Sequence, residues 1–437
     1  MIDDMMTIAK CGLGSALASA HLNASTNVKK LQFGAHKTVK MHIGNKNVTC
    51  PENIIDTFEL KSSKDKVTTI MDMVDVESDK HIMETVTSWK YLGDIVQSNG
   101  KCDMNIKAKV AKGVAAIKQI SQMMSDLCLG PYLYEAFIVL RASLFLSSLL
   151  ANSEAWVGLS KTNIKDLEAV DAQLLRTVFS SDLSKHSRTA VELLYLETGT
   201  IPVRFILMSR RLNFLWYLLN QDKSSLLSQF FHAQCDSPTK GDWVSSVKQD
   251  LKDLELDMDF DQIEACTKDA FKEKVKKHIK VAAFRMLTKI QQSHSKSRSM
   301  GYNELAMQKY LCSDNNFMTN KEKIFAFTAR AHMLNLKGNF KEGKKDINCS
   351  LGCDNVEDQK HLYYCPAIIE VGEEAIRYEE IYGNDLDKLK RVTQRLMKRF
   401  QELTTSVNRQ SMPCSATAET NIDDNNLVNV SVVDLDL

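Results

Sequence analysis

Near residue 103 the spacing of apolar side chains changes, and that change does most to limit what this chain can fold into. Before it, short runs alternate. Val39-Lys40-Met41-His42-Ile43-Gly44 is apolar and polar by turns, the period of a strand with one buried face. Leu31-Gln32-Phe33-Gly34 and Trp89 to Val96 also read as extended, the second followed by the turn signal Ser98-Asn99-Gly100. Ser15 to His21 is a small-residue helix candidate, and residues 61–80 form a polar hairpin or loop. After residue 103 the period is helical. Ile106, Val110, Val114, Ile117 and Ile120 recur at three and four, with Lys107, Lys109, Lys112 and Lys118 expected on the surface.

The helical pattern persists for almost three hundred residues. Tyr134 to Trp156 is apolar nearly all round and predicts a buried central helix. Ser160 or Thr162 caps a helix through Leu174 and Leu175; Gly199 and Pro202 break the chain before a helix over Val203–Leu219. A loop at Pro238 to Asp242 precedes a helix from Trp243, and a last helix runs from Tyr378 to Phe400. With only 6 Pro and 17 Gly in 437 residues, long structureless linkers have little room. The expected fold is mainly α with a small N-terminal α+β piece of few antiparallel strands. Five segments follow: 1–102, 103–220, 221–335, 336–400, and a tail at 401–437 whose Ser, Thr, Asn and Asp content predicts disorder.

The formal net charge of +1 argues against uniform basicity, so any nucleic-acid footprint has to be local. Arg210 and Arg211 lie among Phe205, Phe214, Trp216 and Tyr217. Lys268 to Arg298, which includes Lys276 and Lys277, holds ten Lys or Arg against Asp269 and Glu273, with Phe271, Val275, Ile279, Ala282, Phe284 and Leu287 inward. Such a helix can follow a phosphate backbone or simply present a solvated face. Lys29, Lys30 and Lys37 flank the early strands under the same two readings.

The sharpest chemical signal is Cys349, Cys353, His361 and Cys365, spaced Cys-x3-Cys-x7-His-x3-Cys. Three thiolates and an imidazole suit a structural Zn2+, bound tetrahedrally with no open position for catalysis. The alternative is buried unliganded thiols with a surface histidine. Lys344 and Lys345 directly precede the cluster, as suits a knuckle that touches nucleic acid. The other eight of the 11 cysteines are scattered without regular spacing, which does not describe a disulfide framework. The chain starts without the basic and apolar regions of a signal peptide, and Arg141 interrupts the longest apolar run below the roughly 20 residues of a span. These readings predict an intracellular protein, nuclear or cytoplasmic, with no membrane partner.

At the other end, Asp3-Asp4 stands between apolar flanks. A bend there aims both carboxylates near one point, where acids can hold divalent metals about 4 Å apart for phosphoryl chemistry; an acidic turn is the plainer reading.

Taken in order, these residues resemble the C-terminal part of a non-LTR (LINE-type) retrotransposon reverse transcriptase. Met1-Ile2-Asp3-Asp4 resembles the palm hairpin with the catalytic Asp pair, Lys29 to Met41 the next palm motif, and Tyr91-Leu92-Gly93 the primer-grip hairpin. Asn152-Ser153-Glu154-Ala155-Trp156 with Leu174-Leu175-Arg176 resembles the helical thumb, extended by Tyr195-Leu196-Glu197-Thr198-Gly199, Pro202 and Arg210-Arg211-Leu212. The cysteine cluster resembles the downstream zinc knuckle, with three residues inside its first pair where the family usually has two. The resemblance implies an RNA or DNA partner and Mg2+ at Asp3 and Asp4 only where the polymerase site is completed. Fingers and a further palm aspartate would lie upstream of Met1, so the chain alone is expected to be inactive as a polymerase while keeping nucleic-acid-binding parts. A non-catalytic zinc-knuckle binding protein and a purely structural helical protein are the other readings.

Overall fold

The computed structural model describes residues 39–41, 57–59, 80–82, 84–127, 129–179, 189–237, 239, 241–294, 300–313, 318–339, 347–368, 377–383 and 385–410, with backbone alone at 39–40, 57–59, 80–82, 84–85 and 406–410. Its described residues are mainly helical, as the period change predicts. Every described strand precedes residue 98: β1 (Val39–Lys40), β2 (Thr57–Glu59), β3 (Lys80–Ile82), β4 (Glu84–Thr85), β5 (Ser88–Tyr91) and β6 (Asp94–Gln97). They make three two-stranded sheets, of which β2–β3 and β5–β6 are antiparallel and β1–β4 is parallel, a departure from the antiparallel expectation. Tyr91 pairs with Asp94, so the β5–β6 loop is Leu92-Gly93, with φ of 45° and 86°. Two successive left-handed residues give the turn whose twist matches that of the flanking strands.

Thirteen helical segments are named here: α1 (Asp103–Asp126), α2 (Leu133–Leu140), α3 (Leu146–Leu149), α4 (Lys161–Thr177), α5 (Val191–Thr198), α6 (Val203–Leu219), α7 (Leu226–Asp236), α8 (Trp243–Asp253), α9 (Phe260–Glu264), α10 (Lys268–Ser293), α11 (Asn320–Arg330), α12 (Gln359–Tyr364) and α13 (Leu386–Gln410). The chain divides into two compact units. One holds the described residues up to Met333 together with Glu379–Lys390; the other holds Leu334–Tyr378 and the described residues from Arg391 onward.

In the first unit, β6 and α4 pack on α1, and α6 touches α4, α8, α9 and α10. Close approach to α1 depends on Gly113, where an added Cβ would lie 3.0 Å from Leu149 and 3.2 Å from Val170. The buried stripe of α1 is therefore Ile106, Lys109, Gly113, Ala116, Ile117 and Ile120, while Val110 and Val114 are half-buried. Lys109, expected on the surface, is 1% exposed, because Asp94 at the start of β6 meets its ammonium at 2.8 Å. Burial disfavours the charge on Asp94, yet hydrogen bonds from Lys109, Asn152 and Asn105 outweigh it and hold the carboxyl below its ordinary value of 3.8. Lys109→Met is expected to cost roughly 1–3 kcal/mol at neutral pH. A depressed carboxylate stabilises above its unfolded pKa and stops doing so as pH falls through the folded one. The gap between variant and wild type in urea midpoint is thus expected to close below about pH 4.

The stretch expected as one long buried helix is broken and one-sided. Between α2 and α3, Arg141–Phe145 forms a π-helical turn, and α3 ends at Leu149, shortly before Asn152, a left-handed residue with φ 62°. Tyr134, Phe137, Phe145 and Leu149 are buried, whereas Val139 is 64% exposed. By length and composition alone, Gly130–Leu149 is long and apolar enough to cross a membrane, as the core helix of a soluble protein also can be. Arg141, which interrupts the apolar run in sequence, turns inward: its Nε and Nη2 donate to Asp171 on α4 at 2.8 and 2.6 Å, and Tyr195 donates to the same carboxylate at 2.8 Å.

Candidate metal centre

The second unit builds its centre from two short devices. Asn348 and Val356 form an isolated antiparallel bridge, and Glu357 N–H donates to Ile347 O at 2.9 Å. Between them the chain turns through Gly352 (φ 79°) and Asp354 (φ 58°), with Cys349 N–H donating to Asn355 O at 2.7 Å. Cys349 and Cys353 sit on this tight end. Asp358 then caps α12, accepting from His361 N–H at 2.8 Å, so that His361 lies in its first turn. Pro366 follows Cys365, and the residue before a proline is driven out of the α region; Cys365 accordingly has ψ 115° and ends the helix.

These devices bring four ligand atoms together. One donor each from Cys349, Cys353, His361 and Cys365 lies within 4.8 Å of the others. Cys349 Sγ is 3.9 Å and Cys353 Sγ 3.7 Å from Cys365 Sγ, far beyond the roughly 2.05 Å of a disulfide. Cys353 Sγ stands 3.1 Å from His361 Nε2. Cys349 and Cys365 are buried, Cys353 and His361 half-buried. This quartet is the one group of its kind among the described residues.

Electrostatics suit a cation. Burial, with Cys349 and Cys353 close by, pushes the Cys365 thiol up to about 12, and burial raises Cys349 as well. Burial also opposes ionisation of Cys353, but donors from the Asn355 backbone, Cys349 and Cys365 reverse the balance and lower it. His361 is lowered by burial toward the neutral imidazole, the form that ligates metal. Three thiolates in so small a volume repel one another, and a divalent ion at their centre would turn that repulsion into attraction. No family model, curated protein or solved structure matches the chain.

Groups outside the ligand set hold the centre. Glu357, 3% exposed, accepts from Ser350 N–H at 2.9 Å, Ser350 Oγ–H at 2.5 Å and Lys337 N–H at 3.1 Å. Arg399, 4% exposed, donates to Tyr363 O at 2.8 Å and Leu362 O at 3.4 Å, the last turn of α12. At Gly338 a Cβ would lie 2.9 Å from Glu357 O, the atom to which its own N–H donates at 2.7 Å. Sequence reasoning missed Glu357 and Arg399. Asp358 was findable, because an Asp three residues before His361 has the spacing of an N-cap.

The other candidate residues are dispersed. Arg211 and Asp250 form a bidentate pair at 2.7 and 3.0 Å, and Arg210 donates to Leu150 O. Both residues are half-buried, and each guanidinium has a partner within the chain. The reason is the position of α6, which has neighbours on most sides. Lys276 and Lys277 are exposed on α10, whose buried stripe is Phe271, Val275, Ile279, Ala283, Leu287 and Gln291, with Ala283 in place of Ala282 and Phe284. Glu273 lies 3.5 Å from Lys276, and among the described residues no carboxylate is within ion-pair distance of Lys272, Lys274, Lys277 or Lys289. Asp3, Asp4, Lys29, Lys30, Lys37, Lys344 and Lys345 lie outside the described residues, as does the expected disordered tail beyond residue 410. Residues 401–410, placed in that tail from composition, continue helix α13, because Leu396 and Leu403 extend its buried stripe.

Proposed function

We propose that this chain derives from the reverse transcriptase of a non-LTR retrotransposon and acts as a nucleic-acid-binding protein whose C-terminal knuckle is closed by one structural Zn2+. The observation that carries the metal part is the closed quartet. Two thiolates each about 2.3 Å from a tetrahedral zinc stand about 3.8 Å apart, and the sulfur pairs measured here are 3.7 and 3.9 Å. All four positions are supplied by protein, so the ion would fix structure rather than activate water.

The nucleic-acid part rests on the ordered motifs and on α10. Its exposed lysines lie along a helix of 26 residues, roughly 39 Å at 1.5 Å per residue, long enough to meet several phosphates. Filter binding of RNA and of duplex DNA across a salt series tests it. Log affinity is expected to fall linearly with log salt, and Lys276→Glu with Lys277→Glu to reduce the slope by about 1 to 2. A flat dependence would remove the binding role. The pairing of Arg210 and Arg211 within the chain favours the competing reading, a structural helical protein with zinc alone, and that same flat result would select it.

A further inference from the structure

We propose that Glu357 is the positioning residue of the metal centre: a buried carboxylate outside the ligand set that prearranges the knuckle and thereby sets how tightly it holds its ion. This rests on the zinc reading above.

The argument is one of connectivity. Glu357 Oε2 takes both the N–H and the hydroxyl of Ser350, at 2.9 and 2.5 Å, and Oε1 takes Lys337 N–H at 3.1 Å. Its own N–H donates to Ile347 O at 2.9 Å, and its O accepts from Gly338 N–H at 2.7 Å. Ser350 follows the first ligand, Ile347 lies two residues before it, and Asp358, the next residue, caps the helix carrying the third ligand. One residue thus ties the turn of Cys349 to the start of the His361 helix and to the incoming segment at 337–338. A carboxylate buried to 3% exposure is costly to desolvate, and here three donors satisfy it. Without it Ser350 N–H and Lys337 N–H lose their acceptor, and the first thiolate pair loses the bond that fixes its turn. Outer groups that orient ligands typically change metal affinity 10- to 100-fold on mutation.

Glu357→Gln keeps the shape, but its NH2 either faces Lys337 N–H or displaces the Ser350 donors, so one contact must fail. Ser350→Ala removes the hydroxyl contact alone. The full-length chain, stripped of metal under reducing conditions, is titrated with Co2+ and followed by the visible absorption of tetrahedral thiolate cobalt; Zn2+ displacement then gives relative affinities. Wild type is expected to bind one equivalent. Glu357→Gln is expected to bind about 10- to 100-fold more weakly with the tetrahedral spectrum retained, Ser350→Ala less so, and the double variant to lose less than the sum, since both act through one contact. Wild-type affinity in Glu357→Gln and Ser350→Ala, with or without lower thermal stability, overturns the proposal while leaving the metal site intact. If Glu357→Gln does not fold, the affinity of Ser350→Ala decides. Absence of a tetrahedral cobalt spectrum in wild type sinks the metal reading itself, and this inference with it.

Discussion

Chelating the metal is expected to unfold the knuckle while α1 to α6 keep their structure. Purified under reducing conditions, the chain should carry one zinc per molecule by elemental analysis. After chelation, the amides of 347–368 should lose their protection from hydrogen exchange, and those of α1, α4 and α6 should keep it. The apolar interior of this unit is small: Leu334, Leu336, Leu362, Tyr363, Ile368, Val392, Leu396 and Leu403 are its buried aliphatic and aromatic side chains among the described residues. A core of that size rarely supplies more than about 3–5 kcal/mol, and such units usually add a metal or disulfides. The three thiols are free and not joined as disulfides. An ion bound with an apparent 10–16 kcal/mol at pH 7 would dominate the unit's stability, so Cys365→Ser should act like chelation. Metal-free protein with unchanged protection in this segment would rule the role out. Because the ligands bind deprotonated, mild acid should also release the ion.

The second large effect is expected at Glu197. Its carboxylate, 0% exposed, accepts from Tyr302 Oη–H at 2.6 Å, Tyr310 Oη–H at 2.9 Å and Arg330 Nε–H at 2.9 Å. Arg330 continues to Ile381 O at 2.8 Å. Glu197→Ala leaves a buried guanidinium without its counter-charge, and breaking a buried pair from one side costs about 3–5 kcal/mol. Urea unfolding of the first unit should show that loss; a change under about 1 kcal/mol would mean the pair contributes no more than an exposed one. The two phenols add a pH signature. Burial, then the Glu197 charge, raises Tyr302 and Tyr310 well above their ordinary value of 10.0. A group with a raised folded pKa stabilises fully below its unfolded pKa and loses that contribution as pH rises through the folded one. Stability should therefore decline above about pH 10, and less steeply once Tyr302→Phe and Tyr310→Phe are in place.

The same network shows what the motif Tyr195-Leu196-Glu197-Thr198-Gly199 does in this chain. Tyr195 reaches Asp171 and Arg141 on one side, and Glu197 reaches Arg330 on another. Gly199 at φ 65° lets the chain pass so close that a Cβ would lie 2.1 Å from Met307 N. Asn152, from another motif of the resemblance, donates to Asp94 beside the Leu92-Gly93 turn. Asn152 and Asp94, which read in sequence as parts of separate signatures, are thus joined by a hydrogen bond at the surface, whereas the contacts of Tyr195 and Glu197 are buried.

The linear pattern was enough to give the helix bounds at Val203–Leu219, the start at Trp243, a cap at Ser160 or Thr162 that falls on Ser160, and the clustering of Cys349, Cys353, His361 and Cys365, because each depends on residues a few positions apart: a period, a cap, a proline, a pair of cysteines on a turn. Which charges lie inside was decided only by tertiary structure. Lys109, Arg141, Arg211 and Arg330 look like ordinary surface cations in the chain, and each is drawn inward by a carboxylate between 15 and 133 residues away. Glu357 and Arg399 are buried too, Glu357 by accepting from Ser350 and the Lys337 N–H and Arg399 by donating to the Leu362 and Tyr363 carbonyls. A ligand can be read from its neighbours along the chain, whereas the partner that pairs a buried charge is chosen by the packing that brings distant segments within hydrogen-bond reach.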